Sequence, residues 1–300
     1  MYKLIFRLLA GIGIVSAPTV AAQVSLPQVN LGATSFLDGV GGPGILIQET
    51  PSYYFADTFA DQEGHALPLD GEVESISTTT LIARLTDRKV LGGYYGYEAL
   101  IPLARVEAFG GRGSGLGDIG ISPFMIQWTD SRLFGRPYKH RLNLFFNLPT
   151  GTYSADRSVN IGSNAASFNP YYAATLELSE DWAVSTRIHY LWNDENESPS
   201  LLQEAESTQA GQAFHMNLST SYKISEHFRL GVAGYALKQL SEHKLNGRDI
   251  AGSKEQVFAI GPGLGYYNGK FTINFNSYFE SGAENRSEGA RYHLRIAKVL

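Results

Sequence analysis

The residues from Trp182 to Asn193 alternate with a period of two between an apolar face and a mostly polar face. Trp182, Val184, Thr186, Ile188, Tyr190 and Trp192 fall on one face, and Ala183, Ser185, Arg187, His189 and Asn193 fall on the other. A strand that crosses a membrane has this arrangement, because aromatic rings settle at the two interfaces and aliphatic groups lie in the hydrocarbon between them. The segment therefore predicts a membrane-spanning β-strand.

The same alternation recurs at 142–148, 214–224 and 271–276, where the second face carries amides, hydroxyls and charges. A soluble core would not bury so many polar groups. We predict strands near 44–56, 73–85, 92–108, 117–128, 140–150, 170–178, 182–193, 212–224, 228–240, 254–267, 270–279 and 290–300. The prediction is an all-β protein, a transmembrane antiparallel up-and-down β-barrel of about twelve strands over residues 44–300. The strands before residue 110 alternate weakly and the connection at 129–139 is long, so ten and fourteen strands stay open.

The connections alternate in length, as short periplasmic turns and longer extracellular loops do in such barrels. Residues 179–181, 225–227 and 268–269 form the short turns, and the polar stretches at 151–169, 194–211, 241–253 and 280–289 form the long loops. An even strand number leaves both ends of the barrel in the periplasm. Residues 23–43 are weakly patterned, and we expect either a periplasmic tail or an insert in the lumen.

Residues 1–22 have the order of a secretory signal peptide. Lys3 and Arg7 precede an apolar stretch over 8–17, and small residues at 20–22 predict cleavage before Gln23. An uncleaved anchor is the alternative, but a spanning helix needs about 20 apolar residues. With the barrel pattern, the signal predicts localisation in the bacterial outer membrane.

Composition narrows the classes of partner. Without the signal the chain carries 22 basic and 29 acidic residues, a net charge of −7, which argues against a nucleic-acid partner. The chain has no cysteine, so disulfides, zinc-thiolate sites and thiol nucleophiles are excluded. No nucleotide motif is present, and we expect no cofactor.

One group of predicted inward-facing residues is basic although the protein is acidic. We take these residues as candidates to line the lumen and bind substrate: Arg141, Asn143, Arg187, His189, His215, Asn217, Lys223, Arg229, Asn274, Asn276, His293 and Arg295. Such a lumen would attract anions such as phenolates or carboxylates. Alternatively, the cations pair with acids such as Glu98, Glu177 or Glu255 and fill the barrel, and the sequence leaves both interpretations open.

Two chemical alternatives rest on the histidines. His215, Asn217 and Ser219 could be a hydrolase triad, but they share one face of one strand, where neighbours two apart diverge. His189 and His215 could face each other across neighbouring strands as a metal pair, but no third ligand has convincing spacing. We therefore expect no enzymatic activity, no catalytic residue and no metal.

Several motifs, in order and spacing, resemble the outer-membrane protein family named for the meta-pathway of phenol degradation, which includes sphingosine-induced members. They are Gly42-Pro43-Gly44, Gly115-Leu116-Gly117-Asp118 with Ser122-Pro123, Leu148-Pro149-Thr150-Gly151 with Tyr153, Gly261-Pro262 with Gly265-Tyr266, and Gly282-Ala283-Glu284-Asn285-Arg286 with Gly289. The resemblance covers most of the mature chain. It implies a barrel that moves hydrophobic or aromatic small molecules across the outer membrane, without enzymatic activity.

The leading hypothesis is thus passive uptake of a hydrophobic or aromatic small molecule through a polar-lined lumen. A non-conducting lipid-binding or structural barrel is the alternative, and a barrel hydrolase is the third. The expected partners are outer-membrane lipid, the solute, and the barrel assembly machinery during biogenesis. The last strand ends at Leu300, whereas assembly signals usually end in Phe or Trp.

Overall fold

The computed structural model describes residues 24–69 and 71–300, and the predicted signal peptide at 1–22 lies outside the described residues. The strands are β1 (Gly44–Glu49), β2 (Ser52–Phe59), β3 (Val73–Val90), β4 (Gly93–Ala108), β5 (Gly111–Leu116), β6 (Gly120–Leu133), β7 (Arg136–Asn147), β8 (Ser167–Phe168), β9 (Tyr171–Glu177), β10 (Trp182–Asn193), β11 (Glu195–Asn196), β12 (Thr208–Gln209), β13 (Ala213–Lys223), β14 (Phe228–Gln239), β15 (Lys244–Leu245), β16 (Arg248–Asp249), β17 (Gln256–Tyr267), β18 (Phe271–Glu284) and β19 (Ser287–Val299). A 3-10 helix spans Leu201–Gln203. Within the described ranges, no helix is long and apolar enough to cross a membrane.

The wall is a closed antiparallel barrel of twelve strands, which confirms the predicted fold class. Three of the wall strands are interrupted: β1 continues into β2, β5 into β6, and β8 into β9. The barrel closes where β1 and β2 pair with β19 on one side and with β3 on the other. The short strands β11, β12, β15 and β16 form a separate small sheet among the extracellular loops.

Two connections differ from the sequence prediction. The long connection expected at 129–139 is a tight turn at Phe134 and Gly135, because β6 and β7 run on to meet there. Both turn residues have positive φ, of 52° and 76°, as a two-residue hairpin with the twist of its strands requires. The outer loop expected at 280–289 is likewise the tip of the β18–β19 hairpin. In both cases polar residues beyond the membrane continue the strand pairing.

The outer surface of the barrel carries exposed apolar side chains, as contact with lipid requires. On β10, Trp182 is 48% exposed and Ile188 is 43% exposed, whereas Ala183 and His189 between them are buried. This confirms the predicted alternation on β10.

The core lies inside the barrel, and part of it comes from the N-terminal segment, residues 24–43. Leu31 and Phe36 of this segment are buried in one apolar cluster with residues of the wall. The wall side of that cluster consists of Leu191, Ala213, Ala233, Tyr235, Leu237, Val257, Ala259, Tyr278 and Ala283, with Ala60 from a loop. The segment thus occupies the lumen.

Candidate functional site

The N-terminal segment follows the length of the lumen. At the extracellular end, the Leu26 N–H donates to Glu255 Oε1 at 2.9 Å, just before β17 begins. Midway, Asn217 Oδ1 accepts from the Gly32 N–H at 2.9 Å. Further on, Gln127 Nε2 donates to the Gly39 carbonyl at 2.8 Å, and the chain then enters β1 at the periplasmic end. The segment is therefore bonded to the wall along its whole course.

Close approach between the segment and the wall depends on Gly32 and Gly39. Gly32 has φ of +79°, and a Cβ there would lie 2.6 Å from the Tyr278 ring. The Tyr278 hydroxyl donates to the Gly32 carbonyl at 2.9 Å. A Cβ on Gly39 would lie 2.3 Å from the backbone nitrogen of Thr175. Any other residue at either position would push the segment off the wall.

Phe36 fills a niche made by small residues of the wall. Its side chain is 0% exposed. A Cβ added to Gly231 on β14, or to Gly263 on β17, would lie 2.8 Å from the Phe36 ring. The two glycines therefore give the ring its space, and we call this place the ring niche.

Asp38 lies among three arginines of the wall, which we call the arginine cluster: Arg141, Arg187 and Arg295. Arg187 donates to both carboxylate oxygens of Asp38, with Nε and Nη2 each at 2.7 Å. The nearest guanidinium nitrogens of Arg141 and Arg295 lie 3.8 and 4.0 Å from Asp38 Oδ1. The same two arginines also donate to main-chain carbonyls of the segment, at Asp38 and Phe36 respectively, each at 3.1 Å.

The charges of the cluster decide the state of the Asp38 carboxyl. Burial opposes its ionisation, but the positive charges of Arg187, Arg141 and Arg295 outweigh burial, so the pKa of Asp38 lies below its ordinary value. The carboxylate stays charged at neutral pH. One carboxylate faces three guanidinium groups, so the cluster keeps an excess of positive charge.

A second layer of contacts holds the arginines in place. The Arg187 guanidinium carbon lies 4.2 Å from the centre of the Tyr171 ring, in cation–π geometry. The Tyr171 hydroxyl and Asn143 Nδ2 both donate to Glu98 Oε1, at 3.1 and 2.9 Å. Glu98 is thus hydrogen-bonded to neutral donors, while its charge also acts on Arg187.

The structure encloses eleven of the twelve predicted lumen residues. Nine are buried, namely Asn143, His189, His215, Asn217, Arg229, Asn274, Asn276, His293 and Arg295, while Arg141 and Arg187 are mostly buried. The exception is Lys223, which is exposed because β13 ends there, at the periplasmic rim.

The acids expected to neutralise the lumen bind elsewhere. Glu177 pairs with Lys139 at 2.6 Å, and Glu255 pairs with Arg286 at 3.4 Å. The acid that reaches the arginine cluster is Asp38, which the sequence reasoning missed. A signal for it exists, because Asp38 is the only charged residue between positions 23 and 48. A single charge in a weakly patterned stretch is a reason to ask what it pairs with.

Comparison with known proteins agrees with this architecture. The family described as "Putative MetA-pathway of phenol degradation" matches residues 56–296. The chain belongs to this family. The crystal structure of the COG4313 outer membrane channel from Pseudomonas putida F1 is similar, with a TM-score of 0.77 at 17% identity over 91% of this chain and 100% of that one. The β domain of the Bordetella autotransporter BrkA matches with a TM-score of 0.50 at 11% identity, over 86% of this chain and 100% of that one. Curated protein sequences gave no match.

In this family member, the histidines of the lumen form a stacked pair. His189 and His215 are register partners on β10 and β13, with ring centroids 4.1 Å apart, which confirms that they face each other. His189 Nδ1 and His215 Nε2 lie 3.1 and 3.2 Å from Asn169 Oδ1. The pair is thus joined by an amide.

Neither chemical alternative is assembled around these histidines. Asn217 Nδ2 donates to Asn30 Oδ1 and Thr34 Oγ1 of the N-terminal segment, at 2.9 and 2.8 Å, so Asn217 does not orient His215. Over 24–69 and 71–300, the side chains grouped closely enough to hold a metal are Asp61, Glu63 and His65, in the loop after β2. Their grouping is at the surface and contains none of the predicted lumen residues.

Proposed function

We propose that this chain is an outer-membrane channel for passive uptake of hydrophobic or aromatic small molecules, closed by residues 24–43 in the state described. Family membership and the barrel shared with an outer membrane channel support this proposal. The family description refers to phenol degradation, which is consistent with an aromatic solute. Entry from outside and exit to the periplasm need no energy source and no cofactor.

The observation that carries the proposal is the division between wall and filling. Across β9 to β17, many inward-facing positions are small: Ala173, Ser185, Ser219, Gly231, Ala233, Ala259, Gly261 and Gly263. A barrel that only needed a solid interior could fill it with its own larger side chains, as eight-stranded barrels do. Here the volume is filled by the N-terminal segment, whose covalent connection to the wall is at the start of β1. Movement of this segment would leave a passage.

We infer no catalytic function. The candidate triad residues do not meet, because His215 bonds Asn169, whereas Asn217 bonds Asn30 and Thr34 of the N-terminal segment. Export by the predicted signal peptide and assembly in the outer membrane are consistent with the lipid-facing surface of the barrel.

A second candidate is a non-conducting structural or lipid-binding barrel, which the many bonds between segment and wall favour. Planar bilayers containing the purified mature protein separate the two. We expect rare, discrete conductance steps, and phenol added to one side should either raise their frequency or block them. We also expect phenol to enter proteoliposomes that contain the protein. A folded barrel that is silent and admits no phenol, including after deletion of residues 24–41, would refute the channel. Heat-dependent gel migration is the control for folding.

A further inference from the structure

Two side chains of the N-terminal segment occupy neighbouring places in the lumen that differ in chemistry. Phe36 puts a ring into the ring niche, and Asp38, two residues later, puts a carboxylate into the arginine cluster. The turn between them passes through Leu37, whose φ of 57° lies in the left-handed region. That conformation is costly for a residue with a Cβ, so the contacts of Phe36 and Asp38 on either side must hold the turn in place.

The arginine cluster has the features of a receptor for a carboxylate. A guanidinium fork matches the two oxygens of a carboxylate, as Arg187 shows with Asp38. Arg141 Nε and Arg295 Nε are buried and make no hydrogen bond within the described ranges, so the cluster has donors to spare. If Asp38 left, the three buried guanidinium groups would lose the carboxylate that they contact, and the charge of Glu98, which also acts on Arg187, would not replace its hydrogen bonds. The wall therefore requires an anion at this place.

We propose that the lumen contains a binding site for small aromatic carboxylates, in which the arginine cluster takes the carboxylate and the ring niche takes the ring. Phe36 and Asp38 then act as a tethered competitor for that site. The inference rests on the proposed channel function and names its substrate class: an aryl group a few bonds from a carboxylate, rather than a neutral phenol.

The test compares 3-phenylpropanoate with 3-phenylpropanamide, which has the same shape without the charge. Titration calorimetry on the full mature protein in nanodiscs should show 1:1 binding of the carboxylate and binding of the amide at least about tenfold weaker, since charge-assisted bonds to Arg are lost. This comparison needs no variant and so does not depend on the folding of one.

Variants then locate the site. Asp38→Asn removes the charge of the competitor and should tighten binding of 3-phenylpropanoate about tenfold, because the fraction of free sites rises. Arg187→Gln should abolish the binding. Arg132→Gln is the matched control, since Arg132 is exposed at the periplasmic end of β6, where it bonds the Gly135 carbonyl. Equal affinity for amide and carboxylate, or unchanged affinity in Asp38→Asn, would overturn the inference.

Flux separates this inference from the proposed function. Proteoliposomes that take up phenol and both probes without regard to charge would contradict the carboxylate site while supporting the channel. Charge-selective binding in calorimetry, with no uptake of any solute by the wild type or Asp38→Asn, would support the site and contradict the channel. Selective uptake of the carboxylate, faster in Asp38→Asn than in the wild type, supports both.

Discussion

Replacing Phe36 by alanine should loosen the N-terminal segment without touching the barrel wall. The ring is fully enclosed in the docked segment, and truncating a buried Phe typically costs about 3–5 kcal/mol. The cost falls on the docked state alone, because a released ring no longer occupies its niche. Since about 1.4 kcal/mol is a factor of ten, the population with a released segment should rise roughly a hundredfold to a few thousandfold.

The absence of cysteine from the chain makes this rise measurable. Ser219→Cys puts one thiol on the lumen wall, where the side chain is buried two positions from Asn217, which bonds Gly32 of the segment. Its rate of reaction with a charged, membrane-impermeant thiol reagent follows the released population when release is fast relative to modification. Phe214→Ala is the matched control, because Phe214 faces lipid and should leave the rate unchanged. If the reaction rate in Phe36→Ala stays within about twofold of the rate in Ser219→Cys alone, Phe36 does not hold the segment. Heat-dependent gel migration of the variant must show that its barrel is still folded.

Three further outcomes follow from the same geometry. Gly32→Ala should raise the thiol reaction rate about tenfold or more, since its φ of +79° and the ring 2.6 Å from the new Cβ disfavour docking, whereas Gly42→Ala, with nothing within 4 Å, should not. The pKa of Asp38 is lowered, so its ion pairs stabilise docking above the ordinary value of 3.8 and are lost as pH falls below it. After division by the rate at which the same reagent modifies a free thiol at each pH, the reaction rate should be flat from pH 8 to 5 and rise near pH 3; a rise already at pH 6 would contradict this. Ile188→Arg, midway along β10, should lower the folding free energy by about 2–4 kcal/mol in urea titrations in liposomes, whereas Trp182→Arg at the interface should lower it by about 0–1 kcal/mol. Equal costs would refute the placement of Ile188 at the middle of the bilayer.

The wall of the barrel could be predicted from the sequence because strand alternation is a local property. On β10 each residue's face follows from its neighbours two positions away, and the structure agrees there. The β6–β7 hairpin is not predicted from the sequence, because Asp130, Arg132 and Arg136 put polar side chains on both faces of the paired strand ends. Strands that project beyond the membrane keep their pairing but lose the lipid-facing signal.

The path of residues 24–43 could not be predicted in the same way. Gly32 bonds Asn217 and Tyr278, which lie 185 and 246 positions away in sequence. No periodicity encodes such contacts, and glycines and prolines in this stretch are equally compatible with a tail. The inward-facing arginines could be predicted from alternation, but their partner Asp38 lies in the part of the chain that has no pattern.

The attachment of the N-terminal segment to β1 sets a concentration scale for opening. Because Gly42 and Pro43 join the segment directly to Gly44 at the start of the wall, a released segment stays beside its own binding place. A short tether of this kind acts like a free ligand at roughly millimolar concentration. A solute that competes for the same place must approach that concentration or bind more tightly than the segment does. The barrel would then stay shut in dilute surroundings and open as its solute becomes abundant, with no separate sensor.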